Sequence, residues 1–371
     1  MKKKIKVLWV TNAFGCGGAE RQMLYMYHIL QKYCNFDITI LYYAQVGDEL
    51  NLDGVKTVYF DKAKLGKVNA VRKITKYIKE NDIDIVHAFG GCSANIYGRL
   101  GSIFCKKAIP VGAMLGKKHF VNKGIALVNS LLNLFGNWWT VNNPELIPIL
   151  KKDLLFTNDK HIRMIHNGFV SAEAVDYHWE ERTEYDEDKQ DSFVFTVVGR
   201  LQPVKNYPLF LKAAAQIAKV HGNARFWIVG NGQELERLQT LARKLDIEDK
   251  VRFWGYRTDV DIAMSRTDVF VQTSFTEGSP NTVAEAMRAR KPIITTKSTD
   301  FSEMVEPGKN GYLVENNDLD SLVRAMKEML RKSESQLTEA GNLSYKLFEK
   351  YFLDVRVAAE FEAFYNEVLG K

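Results

Sequence analysis

The feature that most constrains the fold is an alternation of short, continuously apolar segments with segments of helical periodicity. Runs such as Ile5–Val10 and Ile83–Ala88 have no polar face, which is typical of strands covered by helices on both sides. Amphipathic stretches such as Ala19–Gln31 lie between such runs. Apolar strands that alternate with amphipathic helices predict βαβ units and a parallel sheet.

This alternation occurs twice along 371 residues, a length that accommodates two domains. A polar, acidic stretch at 171–191 interrupts it. We therefore predict two Rossmann-like, doubly wound α/β domains, at 1–170 and 192–345, joined by an acidic connector at 171–191. A helical region at Glu339–Leu369 follows without a further strand. Two such domains in tandem place a cleft between the carboxyl edges of their sheets, where ligands bind.

Composition excludes several protein classes. Hydrophobic residues make up 46% and charged residues 26%, as in a soluble globular protein. The four cysteines show neither CxxC spacing nor a companion His cluster, so we expect reduced thiols and no zinc or redox site. The segment 1–10 is predicted to be a first strand rather than a signal peptide, and no run is long enough to span a bilayer. A cytoplasmic location is expected.

The charge is unevenly distributed. Residues 1–170 carry 24 Lys and Arg against 12 Asp and Glu, a net charge of +12, whereas 171–191 carry 2 against 9, a net −7. The basic first half carries no nucleic-acid recognition motif, so nucleic-acid binding is not expected. Lys106, Lys107, Lys117, Lys118, His119 and Lys123, with the apolar helix 124–135 and Trp138-Trp139, predict a patch facing an anionic membrane. A solvated surface over a buried helix is the equally open alternative.

In the first domain, two segments at strand ends are candidates. The loop Gly15–Arg21 follows the first strand but lacks both GxGxxG and a Walker lysine. A tight structural turn is the alternative there. His87 ends the fourth strand, where it is expected either to line the cleft or to be a hydrogen-bonded structural histidine.

In the second domain, two strand ends carry complementary chemistry. Arg200 and Lys205 follow a strand that ends at Gly199, so two cations beside a helix N-terminus form an anion site that suits a diphosphate. Further on, Ser279 and Pro280 are predicted as N-cap and first residue of a helix. Glu277 would precede that helix and Glu285 would lie about two turns inside it. Carboxylates accept hydrogen bonds from hydroxyls, so the set predicts a sugar and a ribose joined by a diphosphate. A capped helix with an incidental glutamate is the alternative.

With these motifs, the chain resembles the retaining glycosyltransferases of family 4, which have the GT-B fold. The resemblance runs over nearly the whole length and is strongest from Phe193 to Val314. It rests on the segments 17–21, 84–87, 165–168, 199–205, 229–232 and 253–256, and on the E-x7-E spacing of Glu277 and Glu285.

The resemblance implies a role for each matching residue. Arg200 and Lys205 would clamp the donor diphosphate in place of a metal. Glu285 would bind the ribose and Glu277 the donor sugar. The remaining donor contacts would come from the segment Gly278, Ser279, Pro280 and Asn281, in which every residue except the proline has a backbone N–H. Further contacts would come from Tyr256-Arg257 beside the base, and from Gly17 and Gly18 of the opposite domain. The family also implies a C-terminal helix, 346–371, that returns to the first domain, which would bind the acceptor. Where many members have a second histidine after the fourth strand, this chain has Phe89, which puts a standard glucose or mannose pose in doubt.

Together with these residues, the resemblance implies a metal-independent, cofactor-free hexosyltransferase that retains anomeric configuration. The expected donor is a nucleotide sugar, with UDP favoured over GDP, and the acceptor is a glycan or a lipid-linked glycan of a cell-surface polysaccharide or glycoconjugate. Two alternatives remain open at this point. One is a nucleotide-sugar epimerase of the same architecture, and the other is a noncatalytic nucleotide-sugar-binding subunit.

Overall fold

The structure, a computed structural model, describes residues 4–14, 18–45, 52–89, 91–117, 120, 122–177 and 183–371. The chain divides into two compact units. The first comprises Met1–Phe169 together with Asp354–Lys371, and the second comprises Val170–Leu353. Each unit contains one parallel sheet, with seven strands in the first and six in the second.

The sheet of the first unit has the strand order β3-β2-β1-β4-β5-β6-β7. Its strands are β1 Ile5–Phe14, β2 Phe36–Gln45, β3 Thr57–Tyr59, β4 Ile85–Ala88, β5 Ile109–Met114, β6 Trp138–Val141 and β7 Ile162–Met164. Its helices are α1 Gly18–Tyr33, α2 Lys62–Leu65, α3 Lys67–Glu80, α4 Cys92–Ile103, α5 Lys123–Leu132 and α6 Leu146–Asp153, with α14 Asp354–Val368 from the chain end. The strands predicted at Ile5–Val10 and Ile83–Ala88 are present as β1 and β4, and β1 extends four residues further than the apolar run suggests.

The last helix, α14, packs against the core of the first unit, as the GT-B resemblance implies. Its Val357, Phe361 and Tyr365 lie in one buried cluster with Trp9 and Phe36. The helical region predicted at Glu339–Leu369 is interrupted before Asp354. The Asp354 N–H bonds to the Phe169 carbonyl at 2.9 Å instead of to a carbonyl of the preceding helix. The break separates α14 from the helix before it, which belongs to the second unit.

The sheet of the second unit has the order β10-β9-β8-β11-β12-β13. Its strands are β8 Phe193–Val198, β9 Ala224–Val229, β10 Val251–Gly255, β11 Val269–Gln272, β12 Ile293–Thr296 and β13 Gly311–Val314. Its helices are α7 Glu184–Lys189, α8 Tyr207–Val220, α9 Leu235–Lys244, α10 Val260–Arg266, α11 Asn281–Arg288, α12 Leu319–Leu330 and α13 Glu334–Tyr351. The apolar runs of the sequence predict four of these strands to the residue, at Phe193–Val198, Ala224–Val229, Val269–Gln272 and Gly311–Val314.

The acidic stretch predicted as a connector is instead part of the second unit wherever it is described. Helix α7 lies within it, and the α7 residue Tyr185 is fully buried against two tryptophans, Trp227 and Trp254. The flanking acidic side chains are bound: Asp186 accepts from Arg266 at 3.0 Å and Asp188 from the Trp227 indole at 2.7 Å. These carboxylates therefore accept hydrogen bonds from donors of the second unit, and the described part of the stretch is not a solvated linker.

Candidate functional site

The order of strands in the second sheet reverses between β8 and β11. From β8 the chain continues to β9 and β10 on one side, and it then crosses to β11, β12 and β13 on the other. Because β8 and β11 pair in parallel, their carboxyl ends open at the same edge. Ligands of doubly wound sheets bind at such a switch point. The loops that follow these two strands carry Arg200, Lys205 and Glu277.

The loop after β8 is held by close backbone contacts to the loop after β9. The Gly199 N–H bonds to the Val229 carbonyl and the Leu201 N–H to the Asn231 carbonyl, each at 2.9 Å. Gly230, with φ +137°, lies so close that a Cβ there would be 2.0 Å from the Gly199 carbonyl oxygen. The Val-Gly-x-Gly motif at 229–232 therefore builds the floor beneath Arg200.

Replacing Gly230 with alanine is expected to destabilise this edge by about 3 kcal/mol, because the new methyl group must displace backbone and φ is unfavourable. Chemical denaturation of the purified variant measures the change. Gly222→Ala is the matched control, since a Cβ there meets nothing within 4 Å. Equal free energies of unfolding of the two variants would show that the 199–201 backbone shifts to accommodate the methyl group at little cost.

The predicted cation Lys205 and the predicted carboxylate Glu277 form an ion pair. Lys205 Nζ lies 2.8 Å from Glu277 Oε1, and the same oxygen accepts from Gln272 Nε2 at 2.7 Å. The side chains of Lys205 and Glu277 are 24% and 11% exposed. The carboxylate is thus fixed through one oxygen before any ligand binds.

The two loops are also tied to each other through their backbones. Thr273 Oγ1 donates to the carbonyls of Lys205 and Asn206, at 2.9 and 3.1 Å. The Phe275 N–H donates to the Val204 carbonyl at 2.9 Å. Such crosslinks fix the separation between the cation and the carboxylate, which is what a preorganised polar site requires.

Arg200 differs from Lys205 in its surroundings. Its side chain is exposed and makes no hydrogen bond or ion pair to any residue that the structure describes. A guanidinium in this state is available for a planar, bidentate contact with a phosphate. The site therefore contains one cation that is paired with a carboxylate, Lys205, and one exposed cation, Arg200, whose side chain has no partner among the described residues.

Helix α11 begins one residue later than the sequence predicts. Pro280, rather than Ser279, is the N-cap, and Asn281 is the first helical residue. The reason is that the Asn281 N–H bonds to the Ser279 carbonyl in a tight turn, which leaves the Pro280 carbonyl to accept the first helical bonds from Val283 and Ala284. Glu285 accordingly lies one turn inside the helix rather than two, and it is half-buried.

Tyr256 and Arg257 follow β10 at the same edge of the sheet. The Tyr256 side chain is exposed. The Arg257 guanidinium donates to both oxygens of Asp259, at 2.8 and 2.7 Å, and contacts Glu184 of α7 at 2.6 Å. The hydrogen bonds to Asp259 raise the pKa of Arg257. Arg257 is thus engaged by two carboxylates, whereas the Tyr256 ring faces solvent.

Two polar residues at this edge have no counterpart in the sequence prediction. Gln272, the last residue of β11, holds Glu277, and its short apolar strand gives no hint of that contact. Tyr207, the first residue of α8, is buried, and its hydroxyl has no hydrogen-bond partner among the described residues. Burial, reinforced by the nearby charge of Glu277, raises the pKa of Tyr207.

In the first unit, His87 is a hydrogen-bonded structural histidine, the second of the two interpretations that the sequence left open, and it does not line a cleft within this unit. It is fully buried, with Nδ1 2.8 Å from the Tyr365 hydroxyl and Nε2 2.9 Å from Thr140 Oγ1. The Trp9 indole donates to the same Tyr365 hydroxyl at 2.9 Å. Phe89, the other predicted cleft residue, is also buried, with its ring 4.5 Å from that of Trp9. Both residues therefore belong to the core that joins α14 to the sheet.

The buried histidine predicts a pH dependence of stability. Burial lowers the pKa of His87 to about 3 from 6.5, so the unfolded chain binds a proton there that the folded chain does not. The contribution of His87 is fully present above pH 6.5 and is lost as pH falls from 6.5 towards 3, by about 1.4 kcal/mol per pH unit. Denaturation curves of the wild type and His87→Gln measure the slope, which should be shallower in the variant. An unchanged slope, equal to that of the exposed control His28→Gln, would contradict it.

The other predicted elements of the first unit have mixed outcomes. Gly18 begins α1, while Gly17, Lys118 and His119 lie outside the described residues. Of the proposed membrane patch, Trp139 is fully buried, Lys107 pairs with Asp82 and Asp84, and Lys117 pairs with Glu145.

Among the described residues, no helix combines the length and apolar character that crossing a bilayer requires. Nor do His, Cys, Asp and Glu side chains form a metal-binding group of three in the part of the chain described.

Residues 179–342, nearly the whole second unit, match the family model described as "Glycosyl transferases group 1". The chain carries a group 1 glycosyl transferase domain. One relative is the UDP-Gal:alpha-D-GlcNAc-diphosphoundecaprenol alpha-1,3-galactosyltransferase of Escherichia coli. The two chains are 26% identical over 347 residues, and the alignment covers 87% of each of them. The present chain is 28% identical to the lipopolysaccharide core biosynthesis glycosyltransferase LpsE of Rhizobium meliloti over 49% of this chain and 52% of that one.

The solved structure of Anabaena Alr3699/HepE in complex with UDP resembles this glycosyltransferase with a TM-score of 0.82 and 19% identity, over 97% of this chain and 99% of the other. That likeness gives the fold, which is GT-B, as the sequence predicts. The pneumococcal O-GlcNAc transferase GtfA, solved with UDP and GlcNAc, has a TM-score of 0.77 at 13% identity, over 99% and 100% of the two chains. The predicted glycosyltransferase class and GT-B fold are confirmed.

Proposed function

We propose that this glycosyltransferase transfers a hexose or N-acetylhexosamine from a UDP-sugar to a glycan or lipid-linked acceptor, with retention of anomeric configuration and without a bound metal. The observation that carries the proposal is the arrangement of Arg200, Lys205 and Glu277 on the two loops at the switch point of the second sheet. GDP is the second choice of nucleotide. The process served would be synthesis of a cell-surface polysaccharide or glycoconjugate.

The choice of UDP and of a lipid-linked acceptor rests on relatives. The E. coli relative is named for UDP-Gal and a diphosphoundecaprenol acceptor, and several solved neighbours contain UDP. The LpsE relative is named for lipopolysaccharide core synthesis.

In the proposed donor site, each cation has its own task. Arg200, which is exposed and uncommitted, would bind the diphosphate in a bidentate manner. Lys205 has three N–H donors and uses one on Glu277, so two remain for the same phosphates. The N–H groups of Gly278 and Ser279, just before α11, and the N-terminal end of that helix would add positive potential. Together these groups would stabilise the charge that develops as the nucleoside diphosphate leaves, which is the task a metal would otherwise perform.

The two carboxylates would bind hydroxyl groups. Glu277 is anchored through Oε1 by Lys205 and Gln272, so Oε2 is directed to a hydroxyl of the donor sugar in the proposal. Glu285, one turn inside α11, would accept from the ribose, and the exposed Tyr256 ring would lie beside the base. Because an anchored carboxylate loses little entropy on binding, its hydrogen bonds are well suited to selecting one sugar orientation.

The proposed chemistry breaks the bond between the anomeric carbon and the phosphate oxygen and forms a bond from that carbon to an acceptor hydroxyl oxygen on the same face. The acceptor proton passes to the departing phosphate oxygen, so no protein nucleophile is assigned. The products are the glycosylated acceptor and the nucleoside diphosphate.

Calorimetric titration with UDP, GDP and ADP, in the presence and absence of EDTA, tests the donor site. We expect UDP to bind most tightly and EDTA to leave its affinity unchanged. Failure of all three nucleotides to bind would refute the proposal, and binding that requires Mg²⁺ would refute metal independence. A screen of donor hydrolysis across UDP- and GDP-sugars then identifies the sugar. An epimerised donor formed without acceptor would favour the epimerase alternative.

A further inference from the structure

Helix α5 of the first unit directs its polar face to the interior and its apolar face to the surface, which is the reverse of an ordinary surface helix. Its polar residues face inward: Asn133 Oδ1 accepts from Arg99 at 2.7 Å and from the Trp139 indole at 3.0 Å, and Asn129 also faces Arg99. Arg99 is fully buried, and burial lowers its pKa to about 9. The polar face of α5 is therefore required to satisfy a buried guanidinium, and its apolar face is left to point outward.

The outward stripe consists of large apolar side chains. Each is between 49% and 64% exposed: Leu127, Leu131, Leu134 and Phe135 on α5 and its last turn, with Phe104 at the end of α4 and Leu155 and Phe156 after α6. Leu127 and Leu131 are four residues apart and so lie on one face of α5, and Leu134 and Phe135 lie in the turn that follows it. The Leu155 backbone is fixed to that helix by Ser130 Oγ at 2.9 Å and Asn133 Nδ2 at 2.7 Å, so its side chain extends the stripe.

Phe156 adds a second sign that this surface is built for contact. Its φ is +59°, a left-handed conformation that is costly for a bulky side chain. The strained backbone holds an aromatic ring 53% exposed at the edge of the stripe. Exposed, contiguous apolar surface of this kind marks an interaction site.

The neighbouring helices supply positive charge. Helix α4 contacts both α3 and α5, so the three form one layer on the sheet. Helix α3 carries five cations, Lys67, Arg72, Lys73, Lys76 and Lys79, against one anion, Glu80. A groove of about 740 Å³ between α3 and the end of α4 is lined by the apolar Val68, Val71 and Phe104, by the cations Arg72, Lys76 and Lys79, and by Thr75 and Glu80. Glu80 pairs with Lys76 at 3.6 Å, which leaves an excess of positive charge along the groove. The layer therefore presents apolar side chains flanked by cations.

We propose that the α3–α4–α5 layer docks on an anionic bilayer surface, with the α5 stripe, Phe104 and Phe156 inserted at the headgroup boundary and the α3 cations on lipid phosphates. The charge complementarity selects a membrane as the occupant, because a cationic rim around an apolar stripe matches acyl chains beneath anionic headgroups. This surface keeps the apolar helix 124–135 of the patch predicted from sequence and adds the cations of α3. Of the other members of that patch, Lys107 and Lys117 have carboxylate partners and Trp139 is buried. The inference concerns attachment and is independent of the donor site.

Co-sedimentation with vesicles tests the proposal on the full chain. We expect strong binding to vesicles of equal parts phosphatidylcholine and phosphatidylglycerol and weak binding to phosphatidylcholine alone. Arg72→Gln/Lys76→Gln/Lys79→Gln should weaken binding on the order of a hundredfold, at about 1 kcal/mol for each cation. Leu127→Gln/Leu131→Gln should weaken it roughly tenfold. Both variants should keep the thermal stability and the UDP affinity of the wild type.

Two control variants test whether a loss of vesicle binding is specific to the α3–α4–α5 layer. Lys219→Gln/Arg243→Gln/Lys244→Gln makes the same charge change on the second unit, and Val220→Gln/Val355→Gln removes two apolar side chains of similar exposure elsewhere. These controls should bind as the wild type does. Equal recovery on neutral and anionic vesicles, or equal losses in test and control variants, would overturn the proposal. So would a concentration-dependent dimer that Leu127→Gln/Leu131→Gln dissociates while vesicle binding persists. UDP calorimetry separates all of these outcomes from failure of the proposed function.

Discussion

Replacing Glu277 with alanine or glutamine is expected to lower glycosyl transfer by roughly 10²- to 10³-fold while UDP affinity is kept or slightly increased. Glu277 occupies one of the N–H donors of Lys205 in the ligand-free site, so its removal releases that cation for the diphosphate. The carboxylate is also the proposed acceptor for a donor-sugar hydroxyl, and its loss removes an interaction with the reacting sugar. Initial rates and calorimetry on the same preparations measure the two effects.

Glu315→Gln is the control for Glu277, because Glu315 also pairs with a lysine, Lys297, in the second unit but lies on the surface. It should retain full turnover. If the Glu277 variants also turn over at the wild-type rate, the carboxylate has no role in transfer. If they lose UDP binding and stability together, Glu277 holds the loops rather than the sugar, and the ion pair with Lys205 is structural.

Removing either cation is expected to weaken UDP by roughly 10- to 100-fold, because a hydrogen bond to a charged group contributes about 1.5–3 kcal/mol. Uridine, which lacks the diphosphate, should bind the variants Arg200→Ala and Lys205→Ala as it binds the wild type. The two differ in a second respect, because Lys205→Ala leaves Glu277 without its cation. We therefore expect Lys205→Ala to lose more kcat than Arg200→Ala at saturating donor.

The control for the cations is Lys212→Ala, an exposed lysine on α8, which should bind UDP normally. Arg200→Lys should recover part of the UDP affinity, since the charge remains but the bidentate geometry is lost. An equal loss of uridine and UDP affinity in the alanine variants would place these cations away from the phosphates.

The sequence is a good guide to the elements and a weaker guide to their side-chain partners. Apolar continuity located strands such as β8, and the alternation alone assigned Arg200, Lys205 and Glu277 to strand ends of the second domain. The ion pair of Lys205 with Glu277 joins residues 72 positions apart. Its existence depends on β8 lying next to β11, which no local pattern encodes.

The errors have physical causes of the same kind. The sequence left open whether His87 lines a cleft or is a structural histidine, because Tyr365, the partner that makes its burial acceptable, lies 278 positions away. The acidic stretch was predicted to be a connector because it is polar and acidic, and Arg266, the partner of Asp186, lies 80 positions away in the sequence. Amphipathic periodicity alone does not tell which face of α5 is inward, since that depends on the buried Arg99.

The second unit is one unbroken stretch of chain, Val170–Leu353, whereas the first is assembled from both chain ends. Synthesis on the ribosome therefore releases all of the second unit before the first can be finished. Until α14 emerges, Trp9 and His87 lack the hydroxyl of Tyr365, and the apolar surface of Phe36 stays uncovered. The nascent first unit would expose that surface throughout synthesis of the second, so the order of folding runs against the order of translation.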